Sequence, residues 1–343
     1  MSYIQHKHVR VVGMAAAVPK ETVSNLEINN SKDYDASAFV KATGVEERHR
    51  SEKYTTSDLC LQAAERLLAG LGWAKEEIDG LIFVSQTHDY QLPATACILQ
   101  NRLGLSRDTY AVDLSLGCSG WAYGMSVATA LIGKQGLHKV LLCAGDAHLN
   151  EADPLFGDAG TVTALEHDEA AQDLLYHFGT DGEGYEAIII PDGGMRNQVN
   201  AQSFEMEEID GKLMNRLMIH MNGMDVFSFG ISTAPKSVKQ LAEHFGYDYL
   251  DADYYIFHQA NMKMNNMIAK KLKLEESKVP SSMLHFGNTS SASIPLTIVT
   301  ELAGKVEAQR TKWTCCGFGV GLSWGSLYMV TDKLVISPLI EVE

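Results

Sequence analysis

A chain of 343 residues, 45% hydrophobic and 21% charged, can bury a large core and suits two domains or one large two-part unit. Its net charge of −15 argues against a nucleic-acid surface and against an anionic membrane surface, since both need clustered positive charge. Six cysteines (Cys60, Cys97, Cys118, Cys143, Cys315 and Cys316) lie mostly in apolar surroundings without CxxC spacing, and the 12 histidines form no HExxH pattern. Reduced cytoplasmic thiols fit this better than a disulfide framework, a metal site or a bound cofactor.

In chain order, residues 6–17 faintly imitate a signal peptide, but the apolar run is too short and Pro19 follows at once, so a first core strand over 9–14 is the better reading. A polar region follows, with a turn at 42–44 and a charged stretch over 45–50. The pattern then predicts a helix over 57–70, a short helical start over 73–78, a buried strand over 80–85 and a helix over 94–103. Beyond the next unit come a strand over 139–144, a turn at Gly145-Asp146, a glycine turn over 156–160 and a strand over 161–165. No low-complexity linker separates the two parts.

Residues 113–133 organise the reading: an apolar alternation up to Leu116 suits a strand end, Gly117 and Gly120 suit a tight turn, and small residues continue as a helix. Cys118 sits at that turn. At a helix N-terminus, unpaired N–H groups and the dipole favour thiolate over thiol, which predicts a lowered pKa and a nucleophile usable near neutrality. The bland alternatives are a small buried cysteine or, since no charge falls between Asp113 and Lys134, a membrane span. Four glycines and several hydroxyls argue against the span.

The second part echoes the first. Residues 253–261 mirror 79–87 at an offset of about 174 positions, and each stretch leads to a helix ending in Leu-x-Leu. Residues 284–293 repeat the turn-into-small-helix character of the Cys118 unit, and a glycine-rich run follows over 317–325. A period this long indicates a duplicated domain, with halves at 1–175 and 176–343. Two α/β halves packed face to face bring equivalent turns together. Cys118, His258 and Asn288 then become candidates for one site, a thiolate with hydrogen-bond donors for an oxyanion. The glycine run is a weak candidate for a phosphate loop, because only a short tail follows Gly325.

The chain resembles the β-ketoacyl-acyl-carrier-protein synthase III family of the thiolase superfamily, on segments running nearly end to end. They are Thr43-Gly44-Val45 with Glu47-Arg48, residues 93–97, Asp113 through Gly120, Phe156-Gly157-Asp158 with Gly160, His258-Gln259-Ala260-Asn261, Gly287-Asn288-Thr289, and Gly319 through Ser326. The resemblance implies a five-layered α-β-α-β-α fold, a cytoplasmic homodimer and a Cys118-His258-Asn288 triad. It implies an acyl primer on Cys118, decarboxylation of malonyl on acyl carrier protein, and condensation of the resulting carbanion with the primer. By the same resemblance, His258 and Asn288 stabilise the enolate, the backbone N–H groups of Cys118 and Val320 form an oxyanion hole, and Phe318 lines the space where the carboxylate leaves. Lys263, with Lys270 and Lys271, would receive the carrier protein.

Four departures from the family pattern stand out. The triple glycine reads Gly319-Val320-Gly321, and Leu92 stands where many relatives place a channel-blocking phenylalanine that reaches across the dimer. Ala38 and Ala42 replace a tryptophan and an arginine that hold coenzyme A, leaving Lys41 as the nearby cation. The segment before Phe156 looks too short to supply a second arginine. These changes predict primers longer than acetyl, delivered by carrier protein rather than as acyl-CoA. Two rival functions keep the same residues: acyl transfer to an alcohol, amine or water, and a non-catalytic subunit that shapes a partner's pocket.

Overall fold

The computed structural model describes residues 2–27, 35–148, 153–209 and 212–343. Its frame is a pair of sheets whose central strands are unbroken apolar runs, as strands covered on both faces must be. Val9–Pro19 is buried at all but one position and Gly80–Val84 at every one. In the first sheet the order is Val335–Ile336, Val9–Pro19, Ala159–His167, Lys139–Asp146, Gly80–Val84, Tyr110–Leu114, with Ile340–Val342 also beside Val9–Pro19. In the second it is Ser2–His6, Leu174–Thr180, Ser323–Thr331, Thr311–Gly319, Tyr254–Phe257.

The four strands from Val9–Pro19 to Gly80–Val84 and the four from Leu174–Thr180 to Tyr254–Phe257 pair in the same sense: antiparallel, antiparallel, then parallel. The duplication expected from sequence is therefore present in the pairing itself.

Among the described residues eight α-helices complete the frame: α1 (Ala36–Thr43), α2 (Thr56–Leu71), α3 (Thr95–Leu103), α4 (Gly120–Leu131), α5 (Gly223–Phe245), α6 (Met262–Leu272), α7 (Met283–Phe286) and α8 (Ser293–Leu302). The apolar faces of α2 and α3 cover the outer face of the first sheet, and α5 and α6 cover that of the second. Between the sheets lie α4 and α8, whose small and branched side chains share one core with both. Five layers result. Among the described residues no helix is long and apolar enough to cross a membrane, and the uncharged stretch after Cys118 forms only the 12 residues of α4.

Three local expectations are corrected. The turn at 42–44 is the last turn of α1, which Asp35 opens by accepting from Ala38 N at 3.0 Å and Gly44 closes in the left-handed region. The helical start over 73–78 is a single 3-10 turn, Lys75–Glu77. Gly145-Asp146 is not a turn but the end of a strand, where Gly145 pairs with Gly160. Glycine is needed there for close approach: a Cβ on Gly160 would lie 2.5 Å from Cys60 N, so α2 rests directly on the strand backbone.

Candidate active site

The Tyr110–Leu114 strand leads through Ser115–Gly117 to Cys118, two residues before α4 begins. Gly120 N donates to Gly117 O at 2.6 Å to close the turn. A side chain at Gly117 would come within 2.4 Å of Gln86 Oε1, and one at Gly120 within 2.7 Å of Val84 Cγ1. No side chain caps α4. The backbone N–H groups of Cys118 and Val320 and the Ser290 hydroxyl all favour the thiolate. Burial outweighs them and, with the nearby charge of Asp146, pushes the thiol up to about 11. The expected lowering by the helix end is thus corrected: the dipole is present, but it contributes only ~0.3–1 kcal/mol and is smaller than the cost of taking a charge out of water.

His258 follows the Tyr254–Phe257 strand, its N–H donating to Cys316 O at 2.9 Å, and its Nδ1 lies 2.7 Å from Ser293 Oγ at the start of α8. Its ring is buried, and burial lowers its pKa to about 3, so the imidazole is neutral at every physiological pH. Asn288 sits in the turn between α7 and α8, pinned by its N–H to Leu155 O (2.9 Å) and by Gly157 N to its carbonyl (3.1 Å). Its Oδ1 accepts from Ser290 N at 2.9 Å, and the residue lines the cavity.

The three residues, placed by three separate strand and helix ends, line one cavity enclosing about 90 Å³. Its walls are largely apolar, with Leu155, Phe156, Ile188, Ile219 and Phe318 among them. Phe318 meets the His258 ring edge-on, centroids 5.7 Å apart. Gly319 presses on the sulfur, since a Cβ there would lie 2.7 Å from Cys118 Sγ. Val320 leaves the backbone donor in place despite the altered glycine run.

The structure does not bring Leu92 into this cavity: it precedes Pro93 on the surface, 83% exposed. Sequence reasoning also missed Asp146, Ser290 and Ser293. Asp146 was read as a turn residue, yet it is wholly buried at its strand end. Its Oδ1 accepts from Gln86 N (2.8 Å), Ser85 Oγ (3.0 Å) and Thr87 Oγ1 (3.1 Å). The run of four hydroxyl-bearing residues Thr289–Ser291 and Ser293 was the available signal for a polar network beside Asn288.

Comparison with known proteins bears on the family and the fold. Residues 112–182 match the family model "3-Oxoacyl-[acyl-carrier-protein (ACP)] synthase III", and residues 242–330 match its C-terminal counterpart. A putative 3-oxoacyl-[acyl-carrier-protein] synthase 3 of Campylobacter jejuni is 34% identical over 92% of both chains. The chain belongs to the 3-oxoacyl-acyl-carrier-protein synthase III family. A 3-oxoacyl-(acyl-carrier protein) synthase from Burkholderia xenovorans superposes with a TM-score of 0.91 at 37% identity, covering 99% of each chain. The synthase III of Pseudomonas aeruginosa gives 0.83 at 28% identity, over 97% of this chain and 100% of its own. The fold is accordingly thiolase-like, and the chain is an acyltransferase of the synthase III kind.

Within that family frame, α6 starts at the cavity mouth, because Asn261, its N-cap, lines the cavity. Lys263, Lys270 and Lys271 are exposed on this helix; Lys263 Nζ lies 5.9 Å from the Phe227 ring and Lys271 Nζ donates to Ile231 O at 2.9 Å. Ala38 and Ala42 share one exposed face of α1, with Lys41 exposed beside them. The end of α1 abuts α6, since a Cβ on Gly44 would lie 2.5 Å from Met262 Cβ. The short segment expected to lack a second arginine falls partly on residues 149–152, outside the described residues.

Proposed function

We propose that this chain performs a decarboxylative condensation in which Cys118 takes an acyl group from a thioester and then gives it to the carbanion formed from malonyl on acyl carrier protein. The convergence of Cys118, His258 and Asn288 on one largely apolar cavity carries this reading. The sulfur attacks the thioester carbonyl, and the N–H groups of Cys118 and Val320 receive the developing oxyanion.

In the second half-reaction, carbon dioxide leaves malonyl and an enolate oxygen appears. In this reading a neutral His258, its Nδ1 paired with the Ser293 hydroxyl, donates a hydrogen bond from Nε2 to that oxygen, together with Asn288 Nδ2. Phe318 lines the place the carboxylate vacates; an apolar wall there favours loss of charge. The carrier protein, acidic by composition in this reading, docks on Lys263, Lys270 and Lys271.

The working unit is a cytoplasmic homodimer in which Leu92 reaches the partner's acyl channel. Its exposure on a surface away from its own cavity supports this, as do six unpaired cysteines for the compartment. The division at 1–175 and 176–343 describes two halves that also exchange strands, the first strand joining the second sheet and the last two the first.

Intact-protein mass spectrometry after exposure to a panel of acyl-CoA and acyl-carrier thioesters tests the proposal. An adduct on Cys118 that is chased by malonyl-carrier protein with release of carbon dioxide is expected. An adduct chased only by water, alcohols or amines would overturn condensation in favour of simple acyl transfer.

A further inference from the structure

We propose that Ser119 and Ser323 are positioning residues for acylation, a pair of hydroxyls tying the two halves together so that the Val320 N–H is aimed at the oxyanion formed on the thioester carbonyl. This rests on the reading of Cys118 as the acylated residue and of the Val320 N–H as an oxyanion donor.

The loop that carries Val320 has little shape of its own. Val320 stands in the turn between the Thr311–Gly319 and Ser323–Thr331 strands, where Gly319 pairs with Ser323. It has a glycine on either side, and Gly321 holds φ +137°, which L side chains rarely adopt. Close packing keeps both glycines bare: a Cβ on Gly319 would lie 2.5 Å from Cys118 Cβ, and one on Gly321 3.1 Å from Ser323 Oγ. Glycine flanks leave the direction of the Val320 peptide groups to the bonds made to them.

Ser323 makes such a bond. Its Oγ donates to Val320 O at 2.8 Å and lies 2.7 Å from Ser119 Oγ. A carbonyl can only accept, so the Ser323 proton points at Val320 and the Ser119 hydroxyl donates to Ser323. The chain therefore runs one way, from Ser119 through Ser323 to Val320, and each bond polarises the next. Val320 has a Cβ that confines its own φ, so pinning its carbonyl also fixes its N–H. A third glycine at that position would loosen this coupling.

Placement and burial agree with a positioning role. Ser119 directly follows Cys118 and precedes α4, so the tie joins the nucleophile's turn in the first half to the donor's turn in the second. The backbones meet closely beside it, since a Cβ on Gly317 would lie 2.9 Å from Ser119 Cα and 3.0 Å from Cys118 O. Both serines are buried, where a hydroxyl or carbonyl left unpaired is costly. Neither lines the cavity, whereas Val320 does, so they act through the Val320 backbone and not on the substrate.

The test compares two reactions of Cys118 in the full-length protein. One is acylation by whichever thioester of the panel labels the wild type fastest, which passes through an oxyanion; the other is alkylation by iodoacetamide, which does not. Ser323→Ala should lower the saturating acylation rate by about tenfold, less than the hundred- to thousandfold cost of losing a donor outright, because the N–H is turned and not removed. The thioester concentration giving half that rate should stay within about twofold of wild type. Alkylation should stay within about threefold, the thiol being still in place. Ser119→Ala keeps the bond from Ser323 to Val320 and should show the same pattern at smaller size. Ser323→Thr, which restores the hydroxyl, should recover acylation to within about threefold of wild type. Unchanged acylation in Ser323→Ala, equal losses in acylation and alkylation, or no recovery in Ser323→Thr would overturn the tie. If Ser323→Ala does not fold, Ser119→Ala decides by the same two reactions. A wild type that is alkylated at Cys118 but takes no acyl group from any thioester of the panel would instead sink the proposed function, and this inference with it.

Discussion

The two halves share a strand order and differ in what they place at the strand ends. The first half ends its Lys139–Asp146 strand in a buried carboxylate and sets a thiol before its central helix α4. At the matching places the second half has Gly319, with no side chain at all, and the hydroxyl turn Ser290–Ala292 before α8. The strand that matches Gly80–Val84 runs into His258. In the proposed reaction one half therefore supplies the thiol that forms the bond, beside a buried carboxylate, and the other supplies hydrogen-bond donors and empty space. A symmetric frame brings them together, and asymmetric side chains give each half a separate task.

The sharpest way to break this comparison is to refill the empty space. Gly319→Ala places a methyl about 2.7 Å from the sulfur, and Cys118→Ala removes the sulfur itself. Neither variant should form an acyl adduct in intact-mass measurements, and full labelling of Cys118→Ala at another residue would refute the assignment.

Next in size are the neutral donors. His258→Ala or Asn288→Ala should lower carbon dioxide release by on the order of a hundred- to a thousandfold, as loss of one oxyanion donor does elsewhere. A pH signature accompanies them. The folded pKa of His258, about 3, lies below the unfolded value, so the unfolded chain binds the extra proton. Stability from this group is full above about pH 6.5 and falls on acidification toward pH 3, by up to about 1.4 kcal/mol per pH unit. Denaturant midpoints of wild type should therefore drop more steeply between pH 6.5 and 4.5 than those of His258→Asn; equal slopes would contradict a neutral buried imidazole.

Much of this was legible in the sequence because the duplication leaves continuous apolar strands and glycine turns at matching offsets. Cys118, His258 and Asn288 could be placed together from that repeat. Asp146 could not, since Gly145-Asp146 has the composition of a turn and only the packing of α2 on Gly160 shows it to be a strand end. The Cys118 pKa was misjudged for a related reason: a helix N-terminus can be read locally, whereas desolvation depends on the second half folding over the sulfur. No reading reached α5, whose 23 residues include Pro235 and mix small, aromatic and polar residues, or the Leu174–Thr180 strand.

Smaller effects sharpen the substrate side. Charge reversal at Lys263 and Lys270 should raise the apparent KM for malonyl-carrier protein severalfold at low salt, an effect that fades as salt rises. An unchanged KM would remove α6 as the docking face. Installing Trp at Ala38 with Arg at Ala42 should improve acylation by acyl-CoA about tenfold, the value of one charged hydrogen bond, and leave acylation by acyl-carrier protein alone. A wild type that already prefers acyl-CoA would contradict this. Smallest is Leu92→Phe, expected to bias Cys118 acylation toward short primers; an identical chain-length profile would show that another residue limits the channel.

The division of labour between the halves is tested most directly by following both half-reactions in one sample of His258→Ala, with acyl-Cys118 read by intact mass and carbon dioxide release from malonyl-carrier protein read in parallel. Acylation within severalfold of wild type with carbon dioxide release reduced at least a hundredfold is the predicted result. Loss of both in step, or retention of both, would contradict it.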